Sequence, residues 1–265
     1  MITATALTIA GSDSGGGAGI QADIKTFSAL GVYAASVVTA VTAQNTHTVS
    51  AVHSIPPEIV AAQIKAVLDD IEVHAIKIGM LGNAEIILAV AEALTGYKGP
   101  IVLDPVMVAK SGDLLLDENA VSAVLEFLVP RADVLTPNLP EAAKLLGRSM
   151  AASDEEALAQ GRALCKFGAA SVLMKGGHAP GPICTDFLVT LENHWRYEAL
   201  RIATRNTHGT GCSLSSAIAA GLAKGSNVQT AVQNGHHWLH GAIVAADRLS
   251  IGKGHGPVHH FYEFW

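Results

Sequence analysis

Short apolar or β-branched runs recur along the chain, each ending in polar or glycine-rich residues: ALTIAGSD, SVVTAVTAQN, AIKIGM, PIVLDPV, ADVLTPN and SVLMKGG. Runs of this length, bounded by turn residues, predict buried strands. Between them the apolar spacing switches to the helical period. Ile20, Ile24, Phe27 and Leu30 form one stripe, and residues 57–70, 83–95, 117–129, 139–147 and 153–168 read similarly. Strands alternating with helices predict an α/β fold with a mostly parallel sheet covered on both faces.

Near the end the pattern changes. ICTDFLVTLEN and HWRYEALRI are two extended runs that meet at Glu192 and Asn193, which predicts a hairpin on the sheet edge. GTGCSLSSAIAAGLAKG is apolar and small nearly all round, as suits a buried helix, and VQTAVQNGHHWLHGAIVAADRL reads as another. No linker, repeat or low-complexity segment interrupts the alternation, so residues 1–265 are expected to form a single domain.

Composition narrows the partners. With 49% hydrophobic residues a sizeable core is available, and 15% charged residues with 26 glycines favour a compact enzyme over a disordered or coiled-coil chain. A net charge of −6 without a basic run argues against nucleic acid or an anionic membrane as the main partner. MITATALTIAGSD has no basic leader and reads as a first strand, and VYAASVVTAVTA is shorter than the roughly 20 residues that span a bilayer. A cytoplasmic protein is therefore expected. Cys165, Cys184 and Cys212 are odd in number and never form C-x-x-C, which suggests neither a disulfide framework nor a cysteine zinc site.

Ligands of open parallel sheets gather beyond the carboxyl ends of the strands. Those ends carry Asp13, Gln44, Met80, Asp104, Asn138 and Lys175. Any one of them is an ordinary loop residue; six on one edge weigh more. GSDSGGGAG, from Gly11 to Gly19, follows a strand and opens a helix, but it has Ile20 where a dinucleotide fingerprint needs glycine and no G-K-[ST] of a P-loop. It is better read as a loop that lets backbone approach a small ligand. Asp23 borders the buried stripe of the first helix, so its carboxylate is expected to be paired or, preferably, aimed into a site.

GTGC joins a flexible turn to a helix start, where the N–H groups of Gly209, Thr210, Gly211 and Cys212 would form an anion site suited to phosphoryl charge. The same field is expected to lower the thiol pKa of Cys212 from about 8.5; the plain alternative is a small buried cysteine in a packed helix. Lys175 ends an apolar strand within reach of phosphates, and Asp104 and Glu141 are candidates to hold Mg²⁺ directly or through water. Together these make a phosphoryl-transfer set. His236 and His240 are four apart, and GPVHHF adds His259 and His260, but no third ligand has metal spacing.

The motifs TIAGSD, GGAGIQADIKTFSALGVYAASVVTAVTAQNT, KIGMLG, VLDPVMVAKSG, LTPNLPEAAKLLG, VLMKGGH and NTHGTGC closely resemble the bifunctional hydroxymethylpyrimidine/phosphomethylpyrimidine kinases of thiamine biosynthesis, in the ribokinase-like superfamily. The resemblance runs in order from the first strand to the GPVHHF tail. It implies a three-layer ribokinase-like fold, ATP and Mg²⁺ as cofactors, a small-molecule pyrimidine substrate and a homodimer. It places the pyrimidine at Gly11, Asp23, Gln44, Met80 and Val106, the phosphates at Asp104, Asn138, Glu141, Lys175, Thr207 and Gly209 to Gly211, and the catalytic position at Cys212. The Gln44 amide, one donor and one acceptor face, matches an aminopyrimidine edge. The chain departs from the family at Ser14 and Gly15, where members often have proline and serine, and at Ser213, where threonine is common; these put loop stiffness in question more than chemistry.

Cysteine at position 212, where many superfamily kinases including most pyridoxal kinases have aspartate, favours the pyrimidine over pyridoxal. Two other classes compete. A thiol hydrolase would use Cys212 as nucleophile and His208 as base, although sequence neighbours seldom meet in hydrogen-bond geometry. A ligand sensor on a retired kinase fold would lack part of the phosphate set, and no part is missing.

Overall fold

The computed structural model describes residues 3–107, 118–177 and 181–265. The expected start of a helix at 117, the end of the VLDPVMVAKSG motif and His178 lie outside these residues. The chain runs through β1 (Thr5–Asp13), α1 (Gly19–Ala29), β2 (Tyr33–Gln44), β3 (Val49–Ser54), α2 (Pro57–Asp70), β4 (Ala75–Ile78), α3 (Ala84–Ala93) and β5 (Ile101–Leu103). It continues with α4 (Glu118–Ala123), β6 (Val134–Leu135), α5 (Leu139–Leu146), α6 (Asp154–Cys165), β7 (Val172–Met174), β8 (Ile183–Val189), β9 (His194–Leu200), α7 (Thr210–Ala223) and α8 (Val228–Val244).

All nine strands join one sheet in the order β3-β2-β1-β4-β5-β6-β7-β8-β9. The six from β2 to β7 are parallel; β3 closes one edge and β8 and β9 the other, antiparallel. Alternation along each strand builds two apolar layers. Leu7, Ile9, Ile76, Ile78 and Leu135 pack toward α2, α3, α5 and α6, while Ala6, Ala75, Val102 and Val134 pack toward α1, α7 and α8. The fold is thus the expected α/β sheet, mostly parallel, with helices on both faces.

The differences from expectation are local and have causes. The hairpin turn spans Thr190 to Asn193, where Thr190 N–H donates to Asn193 O, and Val189 pairs with His194. β3 had no apolar run to mark it, because its residues are exposed or nearly so. The helix expected to reach 129 widens into a π-helical turn at Val124–Leu128 and tightens into a 3₁₀ turn at Val129–Arg131, where Pro130 has no N–H to continue an α-helix. Asn83 and Ser153 cap α3 and α6 by accepting from the backbone of Ile86 and Glu156. Among the described residues, no helix is long and apolar enough to cross a membrane.

Candidate active site

The carboxyl ends of the parallel strands open into a cavity of about 740 Å³ that runs from Gln44 on β2 to Leu200 on β9. Gly11, Gln44, Met80 and Val106 line it, as do Asp104, Asn138, Glu141, Lys175, Thr207 and Gly209 to Cys212. Asp23 does not. Its carboxylate is wholly buried below the cavity wall, bonded to Lys77, Thr8 and Ser216. Of the two fates open to a carboxylate beside a buried stripe, this one is paired.

The N-terminal glycine loop is organised by Asp13. Its carboxylate accepts from the N–H groups of Gly15 (2.8 Å), Gly17 (3.0 Å) and Ala18 (2.8 Å), and His208 Nε2 lies 2.8 Å away. Burial alone would raise this carboxyl; the His208 and backbone hydrogen bonds hold it below the usual range. The loop amides are therefore spent on the protein itself and do not cradle a phosphate. Gln44 Nε2 stands 3.3 Å from His208 Nε2, so Asp13, His208 and Gln44 form one polar row into the cavity. With His208 held there, the Cys212 and His208 pairing of a thiol hydrolase is not formed.

Gly209, at φ +78°, precedes α7. Thr210 N–H turns back to Thr207 O at 3.4 Å, whereas among the described residues no protein acceptor meets the N–H of Gly211 or Cys212. These two donors face the cavity at the positive end of the helix. The Cys212 thiol is half-buried at the cavity wall. Its acidity runs opposite to the expectation from the helix start. Burial pushes the thiol up to about 11; Lys77 pulls it down, but Asp23 and Asp104 push it further up. The loss of water, together with the Asp23 and Asp104 carboxylates, outweighs Lys77 and the helix end.

Lys77 is the residue that the sequence reading passed over. It lies within the apolar run of β4, points to the α1 and α7 side opposite Ile76 and Ile78, and its wholly buried ammonium binds both Asp23 oxygens at 2.8 and 2.9 Å. A lone lysine inside AIKIGM was the available signal.

Asp104, Lys175 and Glu141 form the opposite wall. Lys175 Nζ lies 2.8 Å from Asp104 Oδ1 and 3.9 Å from Glu141 Oε2, and Thr136 and Ser215 donate to the same aspartate. Burial would raise Asp104, but Lys175 and Lys77 hold it below the usual carboxylate range. Burial raises Glu141 to about 7, with Lys175 pulling down and Asp104 pushing up. Asn138 and Glu141 also cap α5 reciprocally: Glu141 N–H donates to Asn138 Oδ1 (2.8 Å) and Asn138 N–H to Glu141 Oε2 (2.7 Å). A β-carbon on Gly211 would lie 3.5 Å from Lys175 Nζ and 3.6 Å from Asp104 Oδ2, so the GTGC turn closes directly over this pair.

Among the described residues, no group of three or more His, Cys, Asp or Glu side chains is placed to hold a metal. Asp104 and Glu141 are a pair of hard oxygen donors beside an anion pocket, a set that fits Mg²⁺, which fills the rest of its shell with water and phosphate oxygens. Toward β9 the cavity is lined by Cys184, Asp186, Arg201, His236 and His240. Asp186 accepts from Gly176 N–H at 2.8 Å and lies 4.0 Å from His236 Nε2; burial raises the carboxyl and lowers the imidazole. His260 instead serves the packing, buried against Ser213 Oγ at 3.0 Å.

Residues 13–259 match the sequence profile of the phosphomethylpyrimidine kinases. The chain belongs to that family. It is 56% identical over 264 residues to the hydroxymethylpyrimidine/phosphomethylpyrimidine kinase of Rhizobium meliloti, covering 100% of this chain and 99% of that one. The phosphomethylpyrimidine kinase of Clostridium difficile superposes with a TM-score of 0.80 at 43% identity, over 90% of this chain and 99% of that one. The pyridoxal kinase of Staphylococcus aureus in complex with AMP-PCP superposes with a TM-score of 0.90 at 32% identity, over 100% and 96%. The kinase fold shared with an ATP-analogue complex supports ATP as the phosphoryl donor of this family member.

Proposed function

We propose that this chain is a single kinase domain that transfers the γ-phosphate of ATP to the primary hydroxyl of 4-amino-5-hydroxymethyl-2-methylpyrimidine, and then a second phosphate to the resulting monophosphate, in thiamine biosynthesis. One relationship carries the reading: the GTGC turn, with Cys212 at its end, closes over the Lys175 and Asp104 pair inside the cavity that Gln44 also enters. An alcohol held at Cys212 thereby meets a phosphate held by cations and backbone donors, which is the arrangement that in-line phosphoryl transfer requires.

In this reading Gln44 pairs with the aminopyrimidine edge while Gly11, Met80 and Val106 pack its ring. Lys175, Asn138, Thr207 and the GTGC amides bind phosphate oxygens. Asp104 and Glu141 would hold Mg²⁺, which would supply neutralisation of phosphoryl charge. Cys212 receives the hydroxyl proton through its minority thiolate. The kinase acts in the cytoplasm as a homodimer, for which sedimentation at micromolar concentration is the check.

The experiment is ATP turnover with hydroxymethylpyrimidine and with pyridoxal side by side. The reading expects the higher kcat/KM for the pyrimidine and two phosphates transferred per pyrimidine. A higher kcat/KM for pyridoxal would favour the second reading, a pyridoxal kinase, which the TM-score of 0.90 to a pyridoxal kinase keeps in view.

A further inference from the structure

The transfer scheme leaves one buried charge pair without a task. Lys77 and Asp23 are each 0% exposed, and the carboxylate is saturated by the ammonium, by Thr8 Oγ1 at 2.6 Å and by Ser216 Oγ at 2.7 Å. Register explains how it is assembled: Thr8 on β1 and Lys77 on β4 are direct neighbours, and α1 lays Asp23 over both. Burying two ions costs several kcal/mol of hydration even when they pair well, and an apolar pair of the same volume often serves stability better. The fold nevertheless makes room for the ammonium. A β-carbon at Gly79 would lie 2.7 Å from Lys77 Nζ.

The pair sits against the start of α7: Ser216, which donates to Asp23, lies one turn beyond Cys212 on the same helix, and Lys77 and Cys212 line the same cavity. The charged groups acting on the thiol are Lys77 from β4, Asp23 from α1, Asp104 beyond β5 and Lys175 beyond β7.

We propose that Lys77 and Asp23 are positioning residues that set the acidity of the Cys212 thiol, the ammonium favouring the thiolate and the carboxylate holding that effect in check. The pair keeps the cysteine mostly a thiol at rest while leaving a cation nearby that stabilises the negative sulfur whenever the proton is off it. Lys77 acts through Cys212 and touches no reacting atom. The proposed transfer chemistry gives the pair its use, but the acidity of the thiol is measurable without ATP or pyrimidine.

The decisive feature is opposite signs. Removing the carboxylate makes the thiol more acidic; removing the ammonium makes it less so; loss of packing moves both variants the same way. The test follows iodoacetamide alkylation of the full chain between pH 7.5 and 9.5, read at the Cys212 peptide by mass spectrometry, with buried Cys165 as the internal report on unfolding. A neighbouring charge shifts a pKa by about 1–3 units, and because a more acidic thiolate is also less nucleophilic, rates move by about three- to tenfold. Asp23→Asn is expected to alkylate about three- to tenfold faster and Lys77→Met correspondingly slower, with Lys77→Arg near the parent and the Lys77→Met/Asp23→Asn double variant between the singles. Shifts of the same sign, or no shift beyond twofold in either single, overturn the proposal. If Lys77→Met exposes Cys165, Asp23→Asn alone decides, and absence of acceleration overturns it. None of these readouts uses kinase turnover, so failure of the functional reading and failure of this proposal are seen separately.

Discussion

Gly209 and Gly17 lie in backbone contact: a β-carbon on Gly209 would sit 1.9 Å from the Gly17 carbonyl oxygen. This contact locks the first loop of the chain against the turn that begins α7. The same interlock carries His208, whose Cδ2 would lie 2.3 Å from a β-carbon on Gly17.

Gly209→Ala adds that clash to a φ of +78°, which side chains disfavour. The turn must then lift away from the first loop and from Lys175. Steady-state kinetics should show at least about 10²-fold loss in both phosphoryl transfers, the scale of displacing preorganised donors, with a melting temperature lowered by several degrees. Loss confined to one transfer would contradict a shared phosphate site.

Cys212→Ala separates the two steps. The alcohol must lose a proton, whereas the monophosphate is already anionic near neutral pH. Expected is a slowing of the first transfer by about 10² to 10⁴, the range of a general base, and a change of less than about tenfold in the second. Single-turnover measurement of each step checks this, and equal losses would assign Cys212 to pocket shape.

With the thiol near 11, its reactive thiolate is a small share at neutral pH that grows as pH rises. The first transfer should therefore accelerate from pH 7 to 9, by up to about tenfold per unit. The second should be nearly flat over that range, because the monophosphate finishes ionising at a pKa near 6. A flat profile for the first transfer would remove Cys212 as the proton acceptor.

Glu141 holds its proton up to about 7 in the folded protein, against 4.5 for an ordinary glutamate. Between these values the folded state keeps a proton that the unfolded chain releases, so this group makes stability fall as pH rises from 4.5 to 7. Denaturant melts of Glu141→Gln should lose that slope, and its kinase activity should need about tenfold more Mg²⁺ if the carboxylate helps to hold the ion.

His260 has the opposite linkage. Burial pushes it down to about 3 from an ordinary 6.5, so its contribution is present above 6.5 and is lost as pH falls toward 3. The loss is about 1.4 kcal/mol per pH unit once the unfolded histidine is protonated. His260→Gln should be less stable at pH 8 by about 1–3 kcal/mol, through the disturbed contact with Ser213, yet should lose less on going to pH 5.

Much of the architecture was written in local pattern. Apolar runs ending in polar residues marked six of the nine strands, and the helical stripe from Ile20 to Leu30 matched α1 within a residue at each end. β3 escaped because a strand with little buried surface leaves no hydrophobic signature. The row of strand-end residues and the GTGC turn were legible for the same reason as the sheet, since parallel strands must deliver their carboxyl ends to one edge. Asp23 was half legible: its place beside a buried stripe showed that it was not solvated, but not that its partner was Lys77.

The sequence by itself determined the alternation of elements, the glycine turns and the residue types at the strand ends, because these depend on neighbours a few positions away. Tertiary structure alone decided the charge states. Burial pushes the Cys212 thiol up, and Lys77, Asp23 and Asp104, brought from β4, α1 and the end of β5, act on it from three other segments, while His208 is committed to Asp13, 195 residues away. Electrostatic interactions act through space and strengthen where water is excluded, so local spacing along the chain carries neither their distances nor the burial that sets their strength.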